Sequence, residues 1–309
     1  MKFGISTNWN SKRIESGNAI VDEALELGFD ALELGYNLTE EQAGEIKMRA
    51  DNGDIAIDSV HCYCPVPIGA PHGYPELYLL ASLDEDEKVM ARINIERTLE
   101  FTAKMGARVM VLHAGRIFLN SFFSRMSTHT LADAIAAEGG NDGDRYMRLL
   151  EKALKRRKAR AAKYFNSFCV TLEALLPRFE EAGVTLALEN LPSIEAFPDM
   201  AEMLMLKERF DTPALAYWHD IGHAQVREFF RWERHTEVLQ ALLPFTAGTH
   251  IHDAQPLLDD HLPPGTGEVN FKDLIGLRDQ SIVKVFEPSP DILPADLKKS
   301  LEFMRKVWS

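Results

Sequence analysis

Five short apolar runs in this chain end on a carboxylate or an imidazole. His113 closes M-V-L-H, Glu189 closes T-L-A-L-E, Asp220 closes L-A-Y-W-H-D, His250 closes A-G-T-H and Glu287 closes V-K-V-F-E. Such groups hold divalent cations, move protons and bind hydroxyls. Alternate residues of a strand share a face, so Glu189 lies with Ala187 and Thr185, and Glu287 with Val285 and Val283. His250 likewise lies with His252, and His61 with Tyr63. Small or branched residues beneath a terminal polar group suit the inside of a closed barrel, whose active sites lie at the C-terminal strand ends. Singly, each residue has a plainer role: a hydrogen-bonded rim histidine, or a helix cap for Asp220 ahead of Ile221-Gly222-His223. Convergence changes the reading. Two glutamates, an aspartate and a histidine brought together repel, and a bound divalent cation is the usual remedy. Mixed carboxylate and imidazole ligands suit Mn, Co, Mg or Zn.

The elements that must position these groups follow from the hydrophobic period. Strand patterns over 2–7, 31–36, 57–63, 108–114, 185–190, 214–219, 246–252 and 282–287 alternate with helical patterns over 17–27, 39–50, 85–104, 167–182, 197–207, 222–243, 271–277 and 294–307. Thr39 and Gln42 are spaced as a capping box, and Gly106 follows the third helix as a stop. Eight strand–helix pairs imply a parallel sheet, and eight strands close a barrel. The expectation is an α/β chain with a single (β/α)8 TIM barrel as one domain over 1–309. No G-x-G-x-x-G follows a strand, which argues against a dinucleotide fold. A long helical insertion over 115–165, after strand 4, exceeds the usual loop of about 2–6 residues. It holds an apolar stretch over 117–123, a helical pattern over 131–137 and a basic helix over 144–163 with Lys152, Lys155, Arg156, Arg157, Lys158 and Arg160. That helix reads either as a solvated face or, since such an insertion sits on the catalytic face, as a lid or subunit contact.

Composition narrows the function classes. The 309 residues are 46% hydrophobic and 26% charged, ordinary for a globular core. A formal net charge of −13 opposes a nucleic-acid partner, which needs Lys and Arg along the phosphates. No apolar run reaches the roughly 18 residues of a membrane span, and M-K-F-G-I-S-T lacks a signal-peptide pattern. Cys62, Cys64 and Cys169 make an odd count at no zinc-ribbon spacing, in keeping with a cytoplasmic protein. A homo-oligomer is compatible with all of this.

The motifs L-A-L-E-N, H-D-I-G-H, H-I-H-D, D-D-H-L-P-P-G-T-G-E and V-F-E-P, in that order along nearly the whole chain, resemble those of the xylose isomerase-like TIM barrels. That group includes sugar and sugar-phosphate isomerases and epimerases, hydroxypyruvate isomerases, inosose dehydratases and endonuclease IV. The resemblance to the epimerases implies one divalent metal ion held by Glu189, Asp220, His250 and Glu287. It places His223 beside the metal and matches Asp259 and His261 to the Asp-x-His of the seventh loop. His61 in S-V-H-C-Y and His113 in V-L-H-A-G match two histidine ligands of the endonuclease branch, so two or three zinc ions are the alternative. The implied activity is isomerisation or epimerisation of a small-molecule sugar or keto-polyol by proton transfer through an enediolate. Glu189 and Glu287 would move the proton, His61, His113, His223 and His261 would hold substrate, and Trp9 or Trp218 would pack on a sugar face. The alternatives are a keto-polyol dehydratase on the same site, a multi-zinc endonuclease IV-like hydrolase, and a non-catalytic sugar-binding protein.

Overall fold

The eight strands form close to where the patterns place them, seven a little shorter and the sixth shifted by one residue, in a computed structural model describing residues 1–120, 127–255 and 257–309 (backbone only at 258–260). They are β1 (Gly4–Ser6), β2 (Ala31–Leu34), β3 (Ala56–His61), β4 (Val109–Leu112), β5 (Thr185–Glu189), β6 (Leu215–Asp220), β7 (Thr246–Ile251) and β8 (Val283–Phe286). Neighbours in the chain pair in parallel, and β8 returns to pair with β1, so the sheet closes into a barrel. Around it run α1 (Gly17–Leu27), α2 (Glu40–Asp51), α3 (Glu85–Met105), α4 (Thr128–Glu138), α5 (Asp144–Ala182), α6 (Met200–Arg209), α7 (Ile221–Phe229), α8 (His235–Leu242) and α9 (Pro294–Val307). The Thr39–Gln42 capping box opens α2, and Gly106, at φ 78°, closes α3.

Inside the barrel a small apolar cluster contains Val109, Val111, Ala187, Ala216, Trp218 and Val285. Two residues beyond members of this layer come His113, Glu189, Asp220 and Glu287, carried inward by strand parity. Trp218 fills the middle of the layer because Gly248, on the neighbouring strand, leaves room for it. A Cβ at 248 would stand 2.0 Å from Trp218 Cζ3.

Three expectations are corrected. The basic pattern over 144–163 and the helix over 167–182 are one 39-residue helix, α5, about 58 Å long at 1.5 Å per residue. Tyr164, Phe165 and Phe168 are buried through the expected gap, so the apolar face runs on without a break. The pattern over 222–243 divides into α7 and α8, because Arg231 adopts φ 59° and Trp232 turns back to stack on Phe230 at 4.6 Å. The pattern over 271–277 yields only a 3-10 turn, Ile275–Arg278.

The insertion is tied down at its two ends. Gly115–Arg116 pairs antiparallel with Ala196–Phe197, and Arg157 of α5 is buried in the loop between β5 and α6. Its guanidinium donates to the carbonyls of Ile194 and Ala196 and to Asp199 and Glu202, at 2.5–3.0 Å. One of the six basic residues is therefore a structural anchor, while Lys152, Lys155 and Lys158 are exposed. Within the apolar stretch over 117–123, residues 121–123 lie outside the described residues.

Candidate metal centre

Glu189, Asp220, His250 and Glu287 meet at the C-terminal mouth of the barrel. One ligand atom from each lies within 4.8 Å of every other. His250 Nδ1 stands 3.1 Å from Glu189 Oε1, 3.1 Å from Glu287 Oε2 and 3.5 Å from Asp220 Oδ2. Two ligands about 2.1 Å from one ion are at most about 4.2 Å apart, so the four donors need only a slight contraction to enclose a divalent cation. The donor set fits one.

Histidines surround this ring. His61 Nε2 and His113 Nε2 both reach Glu189 Oε2, at 3.2 and 3.1 Å, and His61 Nδ1 is fixed by the Cys62 carbonyl at 2.9 Å. His223 Nδ1 donates to the Asn190 carbonyl at 2.8 Å, and its backbone N–H donates to Asp220 Oδ1 at 2.7 Å. His261 Nδ1 donates to the Glu287 carbonyl at 2.8 Å. His61, His113 and Glu189 form a second group with metal spacing, and His223, His252 and His261 a third. The side chain of Asp259 lies outside the described residues. A cavity of about 220 Å³ opens over the ring, bordered by Tyr36, His61, His113, His223, His261 and Glu287. Arg116 at its edge is paired with Glu76.

The electrostatics are those of opposed charges packed together in a buried site. Burial alone would raise the Glu189 carboxyl, but His250 and His113 outweigh it and hold it well below the usual range. Burial likewise opposes ionisation of Asp220, and His223 and His252 overcome it. His250 is driven the other way: burial disfavours its cation, yet Glu287, Glu33 and Glu189 raise it well above an ordinary imidazole. A divalent cation would replace the imidazolium protons that balance these carboxylates here.

The structure thus brings together Glu189, Asp220, His250, Glu287, His61, His113, His223 and His261 as expected from their strand ends and loops. It does not bring in the two tryptophans. Trp218 is fully buried beneath the ring, edge-on to His250 at 5.1 Å, because its parity is that of the inner layer. Trp9 is buried too, its indole N–H given to the Ile292 carbonyl at 2.9 Å. Three contributors have no role assigned by the sequence. Glu33 is buried against His250 Nε2 at 3.1 Å, and His252 Nε2 contacts Asp220 Oδ1 at 3.0 Å. Asn190 braces β5 to β6, its Oδ1 accepting from Asp220 N at 2.8 Å and from Tyr217 Oη at 2.9 Å. For Glu33 a signal existed: a carboxylate between two leucines in A-L-E-L, on the same face as Ala31.

Comparison with known proteins agrees with this architecture. The sequence model of the xylose isomerase-like TIM barrel family matches residues 21–307. The uncharacterized protein MJ1614 of Methanocaldococcus jannaschii is 25% identical over 319 residues, covering 99% of this chain and all of that one. Among solved structures, a D-tagatose 3-epimerase-like protein superposes with a TM-score of 0.65 at 21% identity, covering 99% of this chain and 97% of its own. The 3-keto-D-glucoside 4-epimerase of E. coli gives 0.69 at 16%, covering 99% of each chain. A D-psicose 3-epimerase studied with D-fructose gives 0.68 at 15%, covering 100% and 99%. At these identities the structural likenesses establish the barrel, and the activities named are those of the neighbours.

Proposed function

This chain belongs to the xylose isomerase-like TIM barrel family, and on that premise we propose that it is a divalent-metal-dependent isomerase or epimerase of a sugar or related keto-polyol. The observation that carries the reading is the ring of Glu189, Asp220, His250 and Glu287 beneath a cavity lined by histidines. The epimerase activities of the structural neighbours support it. Those four residues would hold a divalent ion, which would supply Lewis acidity toward a substrate carbonyl and hydroxyl. Glu189 and Glu287 act as the proton-transfer pair at the carbon next to the carbonyl: one removes the proton, the other returns it. The ring histidines that flank them, His61, His113, His223 and His261, orient hydroxyls and keep the substrate in register. The barrel wall below, closed by Trp218, excludes water from the underside of the site. A cytoplasmic, sugar-processing role is the corresponding biological setting.

The test is deuterium exchange. The metal-loaded protein in D₂O, given a panel of ketoses and keto-polyols, is expected to exchange one substrate α-proton with formation of an isomer. Glu189→Gln abolishes exchange and keeps the circular dichroism of the wild type. Exchange that survives in Glu189→Gln refutes its role, and an ultraviolet-absorbing enone product would make the enzyme a dehydratase.

A second reading rests on two of the further donor groups, His61–His113–Glu189 and His223–His252–His261. They fit a site with two or three zinc ions that activates water on a phosphodiester. Metal stoichiometry separates the readings: one ion per chain supports the isomerase, whereas about three zinc ions with cleavage of abasic DNA support the hydrolase. The charge of −13 weighs against DNA.

A further inference from the structure

We propose that Glu33 is a positioning residue of the metal centre, fixing the tautomer and ring angle of His250 so that Nδ1 is the nitrogen offered to the ion. The inference rests on the metal-dependent reading above.

Glu33 and His250 come from β2 and β7, which are not neighbours in the barrel, so their contact spans its mouth. Both side chains are inaccessible to solvent. His250 Nε2 lies 3.1 Å from Glu33 Oε1 and 3.2 Å from Oε2, and Ser59 Oγ donates to Oε2 at 2.8 Å. The opposite nitrogen, Nδ1, faces Glu189, Glu287 and Asp220. One edge of the imidazole therefore meets a lone carboxylate and the other meets the cation-binding ring. An ionised carboxylate only accepts hydrogen bonds, so Nε2 keeps its proton and Nδ1 is the nitrogen that yields one when a metal enters.

Packing restrains the ring but does not choose its protonated edge. His61 stacks parallel to it at 5.7 Å, and Trp218 meets it edge-on at 5.1 Å. Neither presents an acceptor to Nε2. Glu33 alone, with Ser59 holding it, supplies the directional contact among the described residues. Glu33 is not a ligand itself, since it faces the nitrogen turned away from the ring. Carboxylates in this relation to a ligating histidine raise its basicity and fix its orientation, and losing one costs about 10–100-fold in metal affinity.

The experiment is calorimetric titration of Mn²⁺ and Zn²⁺ into chelator-treated wild type, Glu33→Gln and Ser59→Ala, paired with nitrogen-15 NMR of His250 in the zinc-loaded forms. Glu33→Gln is expected to bind both ions about 10–100-fold more weakly, with thermal unfolding of the metal-free protein checked alongside. Ser59→Ala, which leaves every charge in place, should shift affinity in the same direction by less and serves if Glu33→Gln fails to fold. In the wild type Nε2 of His250 carries the proton, and in Glu33→Gln the two tautomers mix. Wild-type affinity in both variants, or zinc on Nε2, overturns the role of Glu33. Failure of wild type to bind either ion overturns instead the metal-dependent reading itself.

Discussion

Gly248→Ala tests whether the floor of the site is as full as it looks. The added methyl would meet three indole atoms of Trp218: Cζ3 at 2.0 Å, Cη2 at 2.5 Å and Cε3 at 2.6 Å. Carbon atoms in contact sit about 3.5–4.0 Å apart, so the ring must retreat by about 1.5 Å. It has nowhere to go, being fully buried among Val109, Val111, Ala187 and Val285. Overpacking of this kind costs about 1–3 kcal/mol, and the rigidity of the surround puts the expected loss at the upper end, about 3 kcal/mol. Trp218→Phe removes part of the obstructing ring and costs about 2 kcal/mol as a cavity. The two changes should compensate, so that the double variant falls short of additivity by about 2 kcal/mol. Urea unfolding of the four metal-free proteins, followed by far-ultraviolet dichroism, measures the cycle. His250 lies two residues beyond Gly248 and against the same indole, so metal affinity should fall in the single alanine variant and recover in the double. Strict additivity, or a loss below about 1 kcal/mol in Gly248→Ala, would refute the account of the floor.

Three further outcomes are expected. A divalent ion at 100 times its Kd adds about 2.7 kcal/mol to the native state. For 309 residues that is a rise of about 4 °C in Tm, reversed by chelation and absent from Glu189→Gln. His235, buried beside His219 at 2.9 Å, has its imidazole pushed down by burial to about 4. The unfolded chain therefore binds the extra proton between its own pKa near 6.5 and about 4, and stability falls as pH drops through that window. His235→Gln should remove up to about 3 kcal/mol of that slope in metal-free pH titrations of unfolding. Arg157→Met strands Asp199, Glu202 and two carbonyls in a buried pocket, so it should cost about 3–5 kcal/mol and expose the insertion to limited proteolysis. Arg157→Lys should recover little of this, because an ammonium cannot reproduce the planar fork.

Parity did most of what the sequence could do. Glu189, Asp220, His250 and Glu287 could be placed at one mouth because each lies at or within one residue of the end of its strand, and a period of two leaves only two faces to choose from. The same rule puts Trp218, two residues before Asp220, beneath the ring rather than against a sugar. Glu33, between Leu32 and Leu34, carries no local motif beyond that placement to mark it. Its partner His250 is 217 residues away, a separation that local pattern does not bridge. The continuity of α5 was hidden for a different reason. A βα connection is normally short, so the long excursion suggested a fresh helix, whereas Tyr164, Phe165 and Phe168 carry one apolar stripe through the join.

Closure of the barrel by β8 against β1 fixes when the site can exist. The candidate ligands run from Glu189 to Glu287, and the residue that orients one of them is Glu33. During synthesis, then, the ring lacks its last carboxylate until β8 has been made, and β1 waits for β8 before its edge is covered. A cation cannot template the early steps of folding, since its cage is completed by the final strand. A bound cation would act instead as a late fastener on a ring already shut. The nascent chain must hold an open sheet edge and an unbalanced set of acids until that moment, which makes the elongating polypeptide, rather than the finished barrel, the form most exposed to aggregation.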